Sequence, residues 1–190
     1  MKNIIYFTIF SCMLISCNNS AKQVVNNEEN TAVEQAETIS DTKTTYDRNL
    51  ANFKAMIDAL NNQDVEAALN LMADDFMETG TGYGEPDRNK EEWKVGSEGI
   101  LTIMKPTLKQ AVYLPGVDTI SLEMDGSVRY YGTWNFAVGD KNEDIKVYGT
   151  ADFNEEGLIT SLAQYGDFSM TMMQILPEEM MQQMMGGSQE

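Results

Sequence analysis

Residues 146–167 constrain the fold of this chain more than any other stretch. Two alternating runs, rich in β-branched and aromatic residues, flank Asn154-Glu155-Glu156-Gly157. A period of two sends successive side chains to opposite faces of a sheet, and glycine supplies the backbone freedom of a tight turn. The stretch is expected to be a β-hairpin near the end of an antiparallel sheet. With 190 residues and a hydrophobic share of 42%, the chain has material for one core and its tails.

Charge and missing residue types exclude much. There are 13 basic and 30 acidic residues, a net charge of −17. Such a chain repels nucleic acid and anionic lipid heads, so no nucleic-acid partner is expected. Solubility is the plain account of the charge. The chain has no His, which removes the commonest general base and metal ligand. Cys12 and Cys17 are the two cysteines, and both precede the body of the chain. Disulfides, zinc-thiolate sites and cysteine nucleophiles are therefore not expected in the domain. No metal and no cofactor is expected.

Residues 1–16 hold Lys2 and then an apolar run, too short to span a bilayer comfortably but of signal-peptide proportions. The run ends Leu14-Ile15-Ser16-Cys17, which resembles the bacterial lipobox. That resemblance implies cleavage before Cys17, acylation of Cys17, and a lipid bilayer as partner. A conventional secretory leader with an incidental Cys is the alternative. Loss of Lys2 takes the net charge from −17 to −18. The expected address is the cell envelope, periplasmic or surface side. Residues 17–45 are polar and lack aromatics, which reads as a flexible tether from the lipidated Cys17.

The body then shows helical spacing. Tyr46, Leu50, Phe53, Ile57 and Leu60 recur at steps of three and four. Asp64 is placed to cap a second, short helix striped by Val65, Ala68, Leu69 and Met72, ended by Ala73-Asp74-Asp75. Residues 76–79 suggest a short strand. Gly80-Thr81-Gly82-Tyr83-Gly84 reads as a flexible pocket lip; a phosphate cradle would need the Lys-Ser/Thr that is missing. Asp87 is expected to cap a third helix over residues 88–105, stopped by Pro106. Strands follow at 108–115 and 117–124, then a turn at Asp125-Gly126. The next strand, 127–138, puts Val128, Tyr130, Trp134, Phe136 and Val138 on one face and Arg129, Tyr131, Thr133 and Asn135 on the other. A charged loop at 139–144 precedes strands at 145–153 and 158–168. Gly132, Gly149 and Gly166 inside strands suggest bends. The tail, 170–190, carries seven of the 14 Met. It reads as a short helix packed on the domain or a neighbour, with a frayed tail or a Cu(I) site as alternatives.

The run from Ala59 to Phe76, with its Asn-Gln-Asp cap and Ala73-Asp74-Asp75 ending, resembles the opening of SnoaL-like, or NTF2-like, domains. Phe153-Asn154-Glu155-Glu156-Gly157-Leu158-Ile159 and Tyr165-Gly166-Asp167 resemble the last hairpin of those domains. The resemblance covers roughly residues 47–170, and the domain is expected over 46–169. It implies an α+β cone of three N-terminal helices packed against a curled antiparallel sheet around a cavity. The family's ketosteroid isomerases use a Tyr, a carboxylate base and a protonated Asp. Those positions fall on Met56, Gly80 and Gly149, so their mechanism does not carry over.

Residues expected at a cavity or its mouth are Glu78, Tyr83, Trp93, Tyr113, Tyr131, Trp134, Tyr148 and Gln164. Core filling is the plainer role for Trp93 and Trp134. If chemistry occurs, Asp167 or Asp152 would be the base and Tyr165 its hydrogen-bond partner; capping or ion pairing is the plainer role for the acids. The leading expectation is an anchored, non-catalytic domain that binds a small apolar or amphipathic molecule or a protein partner. The alternatives are a lyase or isomerase working by proton abstraction, and an interaction module forming a homodimer.

Overall fold

The computed structural model describes residues 20–180, with side chains from residue 41. The chain divides into two compact units, Met1–Ile39 and Ser40–Glu190. In the first, the described residues form the start of helix α1 (Ser20–Asn61). All that follows concerns the second.

Helix α1 begins at Ser20 rather than at Tyr46, where the apolar spacing starts. Residues 20–45 contain neither Gly nor Pro, so no strong breaker interrupts a helix. Its later part buries a stripe, with Phe53, Met56 and Ile57 in the core. Gln63, at φ +62°, ends the turn that follows. Asp64 then caps α2 (Val65–Leu69) by accepting from Ala67 N, as its position suggested. That helix is shorter than expected. Met72 and Ala73-Asp74-Asp75 belong to strand β1 (Met72–Thr79), where Met72, Ala73 and Phe76 are buried.

Strand β2 (Arg88–Asn89) pairs with β1 and leads into α3 (Lys90–Ile103). The cap of α3 is Asn89, not Asp87. Asn89 Oδ1 accepts from Glu92 N and Glu92 returns the bond to Asn89 N, a reciprocal capping box. Asp87 instead accepts from Gly80 N and closes the glycine loop. Strand β3 (Lys105–Val117) is one strand paired with β4 (Met124–Val138), with register shifts between Leu108 and Gln110 and between Pro115 and Val117. The turn between them is residues 118–123, not Asp125-Gly126. Asp118 directs it by accepting from Ile120 N and Ser121 N, and these bonds hold its pKa below the usual carboxylate range. Gly126, at φ +81° inside β4, marks an irregularity instead. The loop expected at 139–144 shrinks to a two-residue turn at Gly139 and Asp140 before β5 (Lys141–Phe153). Strand β6 (Ile159–Tyr165) completes the hairpin, with Gly157 at φ +83° in its turn.

The strand order is β2-β1-β6-β5-β4-β3. The sheet is mixed rather than wholly antiparallel, because β1 runs parallel to β6. Its inner face packs against α1, α2 and α3 through one core that includes Phe53, Phe76, Trp93, Tyr130 and Trp134. Polar side chains of α1 fix the helix on the sheet at the Gly126 irregularity and at the Gly157 turn. Asn49 Nδ2 donates to Gly126 O at 2.8 Å, and Asn52 Nδ2 donates to Gly157 O at 2.8 Å. Helix α4 (Phe168–Ile175) follows β6, burying Thr171 and Ile175 while Met172, and Met180 beyond the helix, pack on the core. This agrees with the packed-helix reading of the tail's start. Met181, Met184 and Met185 lie outside the described residues, as do the expected leader and Cys17.

Candidate functional site

The two faces of the sheet divide the candidate residues. On the inner face, register aligns Tyr113 of β3, Tyr130 of β4, Gly149 of β5 and Gln164 of β6. Tyr130 is 0% exposed. Its ring lies across Gly149: a Cβ there would come within 2.1 Å of the ring. The Tyr130 hydroxyl accepts from Trp134 Nε1 at 3.2 Å and is also hydrogen-bonded to the Gln164 side chain. Burial raises the pKa of Tyr130 far above that of a free phenol, so this hydroxyl stays protonated. Phe53 packs on Tyr130 at a centroid distance of 5.4 Å. Tyr113 closes the row, with Lys54 Nζ 4.9 Å from its ring centroid. Met56, the first position tested for isomerase chemistry, is a fully buried core residue. Gly80 is covered by the backbone of Glu85 and Pro86. The inner face of the cone is thus filled by aromatic side chains. Trp93 and Trp134 belong to this filling, each 4% exposed.

Glu78 is the inward carboxylate of β1, on the register row of the buried Leu162. Burial raises its pKa more than the neighbouring Arg88 guanidinium lowers it. Arg88 Nε donates to Glu78 Oε2 at 2.8 Å, and Nη2 also contacts that oxygen. Among the described residues no cluster of three or more metal-binding side chains occurs.

The outer face carries a different row. Val112, Tyr131, Tyr148 and Tyr165 pair in sequence across β3, β4, β5 and β6. Tyr131 and Tyr148 have ring centroids 5.0 Å apart; Tyr148 and Tyr165 stack at 5.9 Å. Tyr131 is 55% exposed and Tyr165 49%. The next row holds Gln110, Thr133 and Lys146. Together they line a groove of about 650 Å³. A smaller cavity of about 320 Å³ adjoins it at Lys146 and reaches Asp144, Asp167 and Met170.

The remaining candidates are scattered. Tyr83 stands fully in solvent at the tip of the glycine loop. In that loop, Thr81 N and Gly82 N both donate to Glu85 Oε2, so the chain's own carboxylate fills the backbone cradle. Asp167 caps α4 by accepting from Met170 N at 3.2 Å. Asp152 faces outward, 3.7 Å from Arg129 Nη1. Tyr165 lies in the outer row and Asp167 at a helix cap, so the structure does not join them to Asp152 as one site. The sequence reading placed Tyr131, Tyr148 and Tyr165 near a cavity but did not foresee that register would line them up on the outer face. It missed Val112, Thr133 and Lys146; strand alternation was the available signal, since it sets Thr133 on the face of Tyr131.

No protein-family model matches the sequence, and no curated protein sequence does. Solved structures do match. A protein of Xanthomonas campestris pv. campestris described as a candidate polyketide cyclase superposes with a TM-score of 0.56 at 14% identity, covering 66% of this chain and 95% of that one. The fold is the NTF2-like α+β cone. The BvnE pinacolase of Penicillium brevicompactum has a TM-score of 0.52 at 13% identity, over 65% of this chain and 88% of its own. An LEH-like epoxide hydrolase of M. tuberculosis has a TM-score of 0.51 at 16% identity, over 66% and 87%. Within this NTF2-like cone, the sheet is open and its interior is occupied by Tyr130 and its aromatic neighbours.

Proposed function

We propose that this protein is a lipid-anchored envelope protein whose NTF2-like domain binds a small apolar or amphipathic molecule without catalysis, and that it does so on the outer face of the sheet. The observation that carries this reading is the contrast between a filled inner row, where Tyr130 covers Gly149, and an open outer groove floored by three tyrosines. Ligand sites are concave, largely apolar, and furnished with a few polar groups. The groove meets that description, with Lys146 and Thr133 at one side. The anchor rests on Leu14-Ile15-Ser16-Cys17. Among the described residues no helix is long and apolar enough to cross a membrane.

Native mass spectrometry of the full chain tests the binding reading. A retained small molecule that is lost in Tyr131→Ser but kept in Tyr83→Ser supports the outer groove; loss only on disturbing the inner face overturns it. For the anchor, Cys17→Ser should move the protein out of the membrane fraction, and its persistence there would refute lipidation.

A second reading is a proton-abstracting isomerase or lyase, in keeping with the enzymes among the fold's solved relatives. Its specific support is Glu78, an inward carboxylate with a raised pKa. Arg88 already engages that carboxylate, which makes this reading the weaker. Glu78→Gln would abolish such an activity.

A further inference from the structure

The outer groove has a polar end, and its chemistry narrows what can lie there. Thr133, almost fully buried, accepts at Oγ1 from Gln110 Nε2 at 3.3 Å and from Lys146 Nζ at 2.5 Å. An ammonium group has three donors, and this bond engages one. Among the described residues no carboxylate lies within ion-pair distance of Lys146. The acids beyond it have other work. Asp144, whose charge reaches Lys146, is paired with Lys109 at 2.7 Å and accepts from Asn135 Nδ2 at 2.7 Å. Asp167 caps α4. Glu143 lines the adjoining cavity with Lys146 and makes no ion pair with it. Lys146 is therefore a positioned cation at the margin of an apolar tyrosine trough.

From this placement we infer that the groove takes an amphipathic anion: a molecule with a flat apolar body lying along Tyr131, Tyr148 and Tyr165 and one carboxylate or similar anionic group reaching Lys146. The inference rests on the reading that binding occurs on the outer face. Charge complementarity decides the ligand class. A chain of net charge −17 repels anions at long range, so selection here is a contact effect, made by a charge-assisted hydrogen bond at one end of the groove. Thr133 and Gln110 hold the lysine in place from below.

The test uses a matched pair of soluble probes, 1-naphthaleneacetate and 1-naphthaleneacetamide, which share a ring system and differ in charge. Isothermal titration calorimetry of the full chain should show the acid binding about tenfold more tightly than the amide, the size of a single charge-assisted contact. Lys146→Gln, an exposed substitution, should remove that difference. Tyr165→Ser should weaken both. Equal affinities, or a preference for the acid that survives Lys146→Gln, overturn the anion inference and leave the outer-face reading standing. Absence of binding by both probes overturns the two together. In that event, a dimer in sedimentation that Tyr131→Ser dissociates would identify the occupant as a second copy of the chain.

Discussion

Tyr130 and Tyr131 are separated by one peptide bond and share no surroundings. Tyr130 lies inside the cone, fully buried, against Phe53, Trp134 and the bare backbone of Gly149. Tyr131 lies outside, half exposed, its ring tilted against Tyr148. The same side chain serves as core in one place and as exposed surface in the other. Strand alternation alone makes the difference. An aromatic-rich strand is therefore poor evidence for an interior pocket: half of its rings face out, and the inward half can consume the space a ligand would need.

That contrast can be broken experimentally. Tyr130→Ala should destabilise the domain by about 3–5 kcal/mol, as for other large buried side chains cut to Ala, whereas Tyr131→Ala should cost less than about 1 kcal/mol. Urea unfolding of both variants measures this, and equal losses would erase the distinction between the faces. Gly149→Ala should cost about 1–3 kcal/mol through overpacking against the Tyr130 ring. Combined with Tyr130→Leu, its penalty should shrink, because the clash is with that ring; strict additivity would show that Gly149 answers to something else. Asp167→Ala should cost about 1 kcal/mol, the worth of a lost helix cap, seen as a small drop in the thermal midpoint. A far larger loss would make Asp167 more than a cap.

The smallest effect concerns Glu78. Its folded pKa lies above the ordinary value of 4.5, so between those two pH values the folded chain holds more protons than the unfolded one. Stability contributed by this group is present below pH 4.5 and is lost as pH rises through the folded pKa. Glu78→Gln should flatten that part of the stability profile. Urea midpoints for both proteins from about pH 4 to pH 7 will show it as a difference that grows with pH toward the variant's advantage. A wild-type profile that rises relative to the variant over that range would mean that the ion pair with Arg88 outweighs burial.

Much of the fold was legible because it rests on local rules. The period of two in residues 127–138 assigned every inward residue of β4 correctly. The Asp64 cap and the Gly157 turn also stand where short-range chemistry puts them. Misplaced elements share a cause: a local signal was overruled by a better local partner or by pairing at a distance. Asp125-Gly126 has turn chemistry, but Asp118 offers two backbone acceptor bonds seven residues earlier and the strands close there. Met72 continues a helical stripe on paper and Ala73-Asp74-Asp75 ends it, yet pairing of β1 with β6 takes the segment into the sheet. The site was the least legible part. Tyr131, Tyr148 and Tyr165 are each 17 residues from the next, a spacing without meaning until β4, β5 and β6 are in register. Sequence can nominate such residues one at a time; only pairing makes them a row.

The division of aromatics between the faces also sorts the chain's own optical signals. Both tryptophans, Trp93 and Trp134, are inside, so indole emission reports on the core and should shift to the red only when the cone opens. The adjoining rings of Tyr131, Tyr148 and Tyr165 are outside, and their coupled near-ultraviolet dichroism reports on the groove. A molecule settling there should alter the tyrosine bands while the tryptophan spectrum holds still. The protein carries separate reporters for unfolding and for occupancy, with no label added.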